Sequence, residues 1–219
     1  MTSNPGPARP MPLARLRVRR AFCGCAAVVM LVAVGASIGW AGAVGDQLRT
    51  DIDDVLRVLN EATLKEPTRL HDRRTTVLKI LEATIDFREV ARRALGRHWA
   101  ERTAEEREEF IVLFSELVER SYLGKLDLYS GGQVVYLGEQ EEGDLGLVRT
   151  RVISTGQGNE SLVDFYLMRQ TGDRWRVYDV VIDGASLTGN YRTQFNAVIR
   201  RASYHDLVKK MKATANEQK

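Results

Sequence analysis

Two carboxylates in this chain stand beside tyrosines in segments of strand-like alternation: Asp164 with Tyr166, and Asp179 with Tyr178. Held in a sheltered cone, an Asp and a Tyr can host general acid–base chemistry, so a small enzyme acting on an apolar molecule is one reading. The commoner role of an Asp in a half-buried strand is structural, hydrogen-bonded to its neighbours, and that reading is preferred here. The remaining reactive side chains do not assemble. His71, His98 and His205 are far apart and no H-x-x-x-H pair or D-x-D-x-D loop occurs, so no metal site is expected. Gly184-Ala185-Ser186 is followed by Leu187-Thr188-Gly189, one residue too long for a nucleophile elbow. No phosphate-binding glycine loop follows a strand-like run, which removes nucleotide cofactors. Asn159-Glu160-Ser161 matches a glycosylation sequon, a tripeptide that arises often by chance. The expectation is a binding module with no catalytic residue and no cofactor.

The two cysteines, Cys23 and Cys25, lie in the opening segment, which does not read as part of the fold. Residues 1–20 carry Arg9, Arg15, Arg17, Arg19 and Arg20, four prolines and no acid; Ala21 to Gly45 carry no charge, with an apolar run at Val28–Val34. A basic start, an apolar stretch and the small residues of Ala41-Gly42-Ala43 form an export signal with cleavage expected after Ala43. The uncharged stretch also reaches the ~20 residues of a membrane anchor, and Arg19-Arg20 leaves a twin-arginine route open. Both cysteines precede the apolar run, where a lipidated cysteine would follow it, and no cysteine remains after cleavage.

The whole chain has 219 residues and a net charge of +3. Removing residues 1–43 takes five of the 32 basic residues and none of the 29 acidic ones, leaving 176 residues at a net −2. Arginines are scattered beside acids, as in Arg88-Glu89 and Glu119-Arg120, so there is no basic stripe for nucleic acid.

Helical spacing covers Asp46–Lys65 through Leu48, Ile52, Val55, Leu56 and Leu59, and a second helix follows Pro67 with Leu70, Val77, Leu78 and Leu81. Asp86-Phe87-Arg88-Glu89 is a capping box for a short helix, Phe87–Leu95, stopped by Gly96. Thr103-Ala104-Glu105-Glu106 opens a long helix to about Leu128, with Phe110, Leu113, Phe114, Leu117, Ser121 and Leu128 expected inside. After Gly131-Gly132 the period falls to two over Gln133–Gly138, Gly146–Ser154, Ser161–Gln170 and Arg174–Asp183. Gly143-Asp144, Gly156-Gln157-Gly158 and Thr171-Gly172-Asp173 separate these runs as hairpin breaks. Helices near Tyr191–Arg201 and Tyr204–Met211 close the chain, leaving residues 211–219 as a polar tail. The fold expected is α+β: a curled antiparallel sheet with helices on one face, the helices before it forming an N-terminal helical subdomain of a single domain over residues 44–210. Val163, Phe165 and Leu167 share one face of their strand, while Leu162, Tyr166 and Met168 share the other. Apolar groups on both faces fit either a sheet covered twice or one whose concave side is a cavity.

Several segments resemble a known family. Ala94-Leu95-Gly96-Arg97-His98-Trp99 resembles its GR-W motif, and Thr103–Phe110 with Leu113-Phe114-Ser115-Glu116-Leu117 is similar to its long helix, with Tyr122, Leu126 and Tyr129 following in place. Trp175–Gly184 with Ser186-Leu187 and Asn190-Tyr191-Arg192 to Phe195 is similar to its strand-and-helix signature, with Asp183 for the family's usual Glu and Ala185 for its Val. The chain is thereby identified as resembling the MlaC-type family, also called the toluene-tolerance or ABC-transporter auxiliary family, over residues 46–210. The resemblance implies an NTF2-like cone with a helical subdomain. It also implies a periplasmic, monomeric phospholipid carrier serving an inner-membrane MCE/ABC transporter complex and an outer-membrane lipoprotein–porin complex. Under that reading the lipid-lining candidates are Leu117, Tyr122, Leu126 and Tyr129 from the long helix and its exit, and Phe165, Leu167, Val180, Ile182 and Leu187 from the strands and following turn. A docking subunit with a solid interior is the remaining alternative. Arg97 and Trp99 are candidates for a docking surface, although Trp99 suits packing under the helices better.

Overall fold

Asp86 and Thr103 start their helices as the capping boxes predict. The Glu89 amide donates to Asp86 Oδ1 at 3.0 Å; the Glu106 amide donates to Thr103 Oγ1 while Glu106 Oε2 accepts from the Thr103 amide. In this computed structural model the described residues are 42–127, 132–154 and 160–216. The predicted export leader lies outside them but for its last two residues, as do Tyr129, the Gly156–Gly158 break and Asn159.

Helix α1 (Ala43–Asn60) leads through two 3-10 turns (Ala62–Lys65, Pro67–Arg69) to α2 (Leu70–Thr84) and α3 (Phe87–Leu95). A third 3-10 turn (Gly96–Trp99) precedes α4 (Ala104–Asp127). Strands β1 (Gly132–Glu142), β2 (Leu145–Ser154), β3 (Glu160–Arg169), β4 (Trp175–Ile182) and β5 (Ala185–Ser186) form one antiparallel sheet in sequence order. Helices α5 (Leu187–Arg201) and α6 (Tyr204–Asn216) follow. The class is α+β with an open, curled sheet.

Several boundaries differ from the periodicity: α1 closes at Asn60 and not Lys65, and β1 runs past Gly138 to Glu142. Helix α1 begins at Ala43, three residues before the expected start, because Val44 is fully buried against the sheet. A fifth strand appears because Asp183 and Gly184 both take positive φ (49° and 83°), the two-residue turn that folds Ala185 back onto Ile182. Ser186 then caps α5, its Oγ accepting from the Gly189 amide at 2.9 Å, so that helix starts at Leu187 and not Tyr191. Helix α6 runs past the expected tail boundary to Asn216, and Met211 is buried in the core. Ser121, expected on the inner side of α4, is exposed and donates its hydroxyl to the Leu117 carbonyl.

The core has two clusters. Val90, Ala91, Ala94 and Leu95 of α3 pack with Phe110 and Phe114 of α4, Phe195 of α5, and Leu207 and Met211 of α6. Phe110, Phe114 and Phe195 meet with ring centroids 5.4–5.8 Å apart, two of the three contacts edge-on, which favours opposite ends of the ring quadrupoles. The second cluster sets Val44 and Leu48 of α1 on Val148, Leu167, Trp175 and Val177 of the sheet. Ile85, in the α2–α3 link, packs against both clusters and pairs with Val177, while the Asp86 amide donates to the Val177 carbonyl at 2.9 Å.

Candidate functional site

The register defines the candidate face. Val163, Phe165 and Leu167 of β3 stand beside Ile182, Val180 and Val177 of β4, and beside Thr150, Val148 and Gly146 of β2. A bulge at Tyr178 keeps both Val177 and Val180 on this face, which strict alternation would not. Closure varies along the strands. At one end Val44 and Leu48 join Leu167 and Val177 in the fully buried cluster, and Gln47 locks α1 down by exchanging two hydrogen bonds with the Trp175 backbone, at 2.6 and 2.9 Å. Further along, Phe165 and Val180 are half-buried at the edge of that cluster, and Ile182 is 40% exposed.

The sequence candidates therefore fall into separate places. Leu167 is closed core at 1% exposure; Phe165 and Val180 are half-buried, and Ile182 is exposed at the β4 side while its neighbours Val163 and Thr150 stay buried. Leu117 and Leu187 are half-buried against the helical cluster, not against the sheet cluster. Tyr122 and Leu126 lie on the last turns of α4. On the opposite sheet face Leu162 is 52% exposed, so that side is open at its end.

Electrostatics mark two positions near these elements. Burial, with Asp53 adding to it and Arg49 opposing, pushes the Tyr136 phenol up to about 12, and its buried hydroxyl has no hydrogen-bond partner among the described residues. Arg49 stacks over that ring at 4.3 Å. Burial also raises the Glu119 carboxyl on α4, helped by Glu82 of α2 and by Glu116.

The acid–base candidates are used structurally or left apart. Asp179 Oδ2 accepts from Ser186 Oγ at 2.6 Å, and Oδ1 accepts from the Thr188 and Val180 amides at 3.0 and 2.9 Å. Asp164 lies opposite Arg149 and Val181 in the ladder. Tyr178 is covered by the Arg93 guanidinium, 3.8 Å above its ring. Among the described residues no three of His, Cys, Asp and Glu gather as metal ligands, and no helix is long and apolar enough to cross a membrane.

A half-closed apolar sheet face under an amphipathic helix can shelter hydrocarbon. The family model of the MlaC protein matches residues 49–213. The chain belongs to the MlaC family. A similar protein from Haemophilus influenzae, the intermembrane phospholipid transport system binding protein MlaC, is 26% identical over 176 residues, covering 78% of each chain. Among solved structures, a phospholipid-binding protein from Ralstonia solanacearum in complex with a phospholipid is 25% identical, with a TM-score of 0.69 over 78% of this chain and 96% of that one. The MlaC match takes in both core clusters except Val44 and Leu48, which precede it.

Sequence reasoning missed three residues that shape this MlaC-family face. Val44 precedes the helix expected from Asp46, although its four-residue spacing to Leu48, repeated to Ile52, is a helical spacing signal. Trp175 was read as a motif marker, yet it is the largest fully buried side chain among the described residues. Ile85 joins the two clusters across a link that has no periodicity to read.

Proposed function

We propose that this protein is a periplasmic phospholipid carrier, a monomer that shuttles lipid between an outer-membrane lipoprotein–porin complex and an inner-membrane MCE/ABC transporter complex. The observation that carries the reading is the likeness in fold, across nearly the whole length of the Ralstonia protein, to a protein solved with a phospholipid bound. The physical requirement supports it. Two acyl chains of about 15 methylenes each cost roughly 24 kcal/mol to leave in water, at ~0.8 kcal/mol per methylene. A carrier must enclose both tails and can leave the head group wet. The partly covered row Phe165, Val180 and Ile182 is the place where tails enter, with Leu117, Tyr122, Leu126, Tyr129 and Leu187 as further lining and Leu167 as the closed end. No catalytic group is required of such a protein, and Asp179 is committed to the Ser186 hydroxyl and the Thr188 amide.

Native mass spectrometry of the protein exported to the periplasm and gently purified tests this. A mass increment matching a phospholipid, recovered in a solvent extract, is expected. A clean apo mass with no lipid in the extract overturns the reading.

A further inference from the structure

His98 and Asn196 are 98 residues apart in sequence, yet His98 Nε2 lies 3.1 Å from Asn196 Oδ1, and Arg97 Nη2 donates to the same oxygen at 3.0 Å. Around this junction Leu95, Arg97, His98, Arg192, Thr193 and Asn196 line an open notch of about 340 Å³. Gly96 makes the approach possible. It sits at φ +58°, and a Cβ there would come within 3.1 and 3.3 Å of Arg192 Cδ and Cγ, so the arginine stem lies directly over the glycine backbone.

Several other arginines are matched with acids: Arg88 with Glu108, Arg92 and Arg93 with Glu89, Arg102 with Glu106, Arg120 with Glu116. Neither Arg97 nor Arg192 makes an ion pair among the described residues, and no carboxylate lines the notch. The neighbouring acid, the exposed Glu101, stands 3.8 Å from the other ring nitrogen of His98. With Asn196 Oδ1 taken, its amide NH₂ is left as a donor. Two guanidiniums and an amide thus face solvent with donor capacity unspent.

We propose that this notch is a docking point for an acidic segment of a partner protein, which seats carboxylates on Arg97 and Arg192. Planar guanidiniums bind carboxylates in two-point fashion, which gives register as well as attraction. The donors lie along a 3-10 turn and one side of α5, at positions 192, 193 and 196, a row suited to successive side chains more than to one tetrahedral ion. The floor is Leu95, which packs in the helical cluster and not with Phe165 and Val180 on the sheet. An open notch of this kind cannot shelter acyl chains. The site stands independently of the carrier reading, because it binds protein whether or not lipid occupies the sheet.

The test uses the full chain and a fluorescein-labelled peptide of Glu and Asp with interspersed Leu, followed by anisotropy. Wild type binds, and added salt weakens the binding. R97E/R192E loses affinity by roughly tenfold or more, R97Q/R192Q loses less, and the equal charge change R57E/R69E, outside the notch, binds as wild type. Co-purified lipid is unchanged in all of them. Equal binding by wild type and R97Q/R192Q, or equal loss in R57E/R69E, overturns the proposal. So does a wild type that ignores the peptide but binds inorganic phosphate or phosphatidylglycerol vesicles through the same arginines. If R97E/R192E fails to fold by circular dichroism, R97Q/R192Q decides alone.

Discussion

Ser186 Oγ donates to Asp179 Oδ2 at 2.6 Å, and the same Oγ accepts from the Gly189 amide at 2.9 Å. One hydroxyl therefore ties the β4 carboxylate to the first turn of α5, and the second Asp179 oxygen adds the Thr188 amide. Removing Asp179 leaves a part-buried hydroxyl and amide without their charged acceptor. Asp179→Ala is expected to lower unfolding stability by about 2–3 kcal/mol, and Ser186→Ala by about 1 kcal/mol, in urea titrations. The double variant should lose less than the sum, since both changes break one network. Additive losses would show that the two residues act separately.

Gly146 reports how closely α1 sits on the sheet. A Cβ at this position would lie 2.7 Å from Val44 Cγ2 and 3.2 Å from Trp175 Cζ3, both in fully buried side chains. Gly146→Ala should destabilise by about 1–3 kcal/mol through overpacking. Combining it with Val44→Ala should recover part of the loss, because the clashing methyl is gone. Denaturation midpoints of the three variants check this, and an unshifted Gly146→Ala would mean that α1 does not rest there.

Tyr136 and Tyr204 are both pushed up to about 12, burial being the first cause for each, but their hydroxyls differ. Tyr204 donates to the Glu106 carbonyl at 3.0 Å, whereas the Tyr136 hydroxyl has no partner among the described residues. A phenol whose folded pKa is raised keeps its proton while the unfolded chain, near 10, has lost it. Neither contributes a pH slope below 10; stability then falls as pH rises from about 10 to about 12. Tyr204→Phe should cost about 1 kcal/mol at pH 8, while Tyr136→Phe should be neutral or stabilising there. Each variant should also flatten the alkaline decline, measured by urea titration at pH 8 and pH 11.

Much of this architecture was legible because its signals are local. Asp86 and Thr103 are followed three residues later by Glu89 and Glu106, and in both boxes the capping bond forms. The change of period after Gly131-Gly132 marked the sheet, and alternation placed Val163, Phe165 and Leu167 on one face. What was not legible depends on contacts between distant segments. Nothing in the strand β4 pattern announces the Tyr178 bulge, which decides that Val177 and Val180 share a face. Leu117 and Leu187 carry the right chemistry for a lipid lining, but apolarity does not say which of two clusters a residue joins. The Gly96–Arg192 approach also needed the fold, since only the packing of α3 on α5 brings the two arginines to one notch.

Ile182 and Leu167 separate lipid binding from stability along the same sheet face. Leu167 is 1% exposed within the α1–sheet cluster, whereas Ile182 is 40% exposed two side-chain positions along the face. Leu167→Ala removes closed core and should cost about 2–5 kcal/mol in unfolding stability, while the folded fraction still yields lipid on extraction. Ile182→Asp places a charge where little apolar area is lost to the fold, so stability should change by about 1 kcal/mol or less. A carboxylate at the tail entrance must then be desolvated whenever a chain passes, which opposes binding far more than it opposes folding. Phosphorus analysis of the extracts, per mole of folded protein, should show lipid lost in Ile182→Asp and kept in Leu167→Ala. The opposite pattern would move the tails to the closed end of the sheet, beneath Val44 and Leu48.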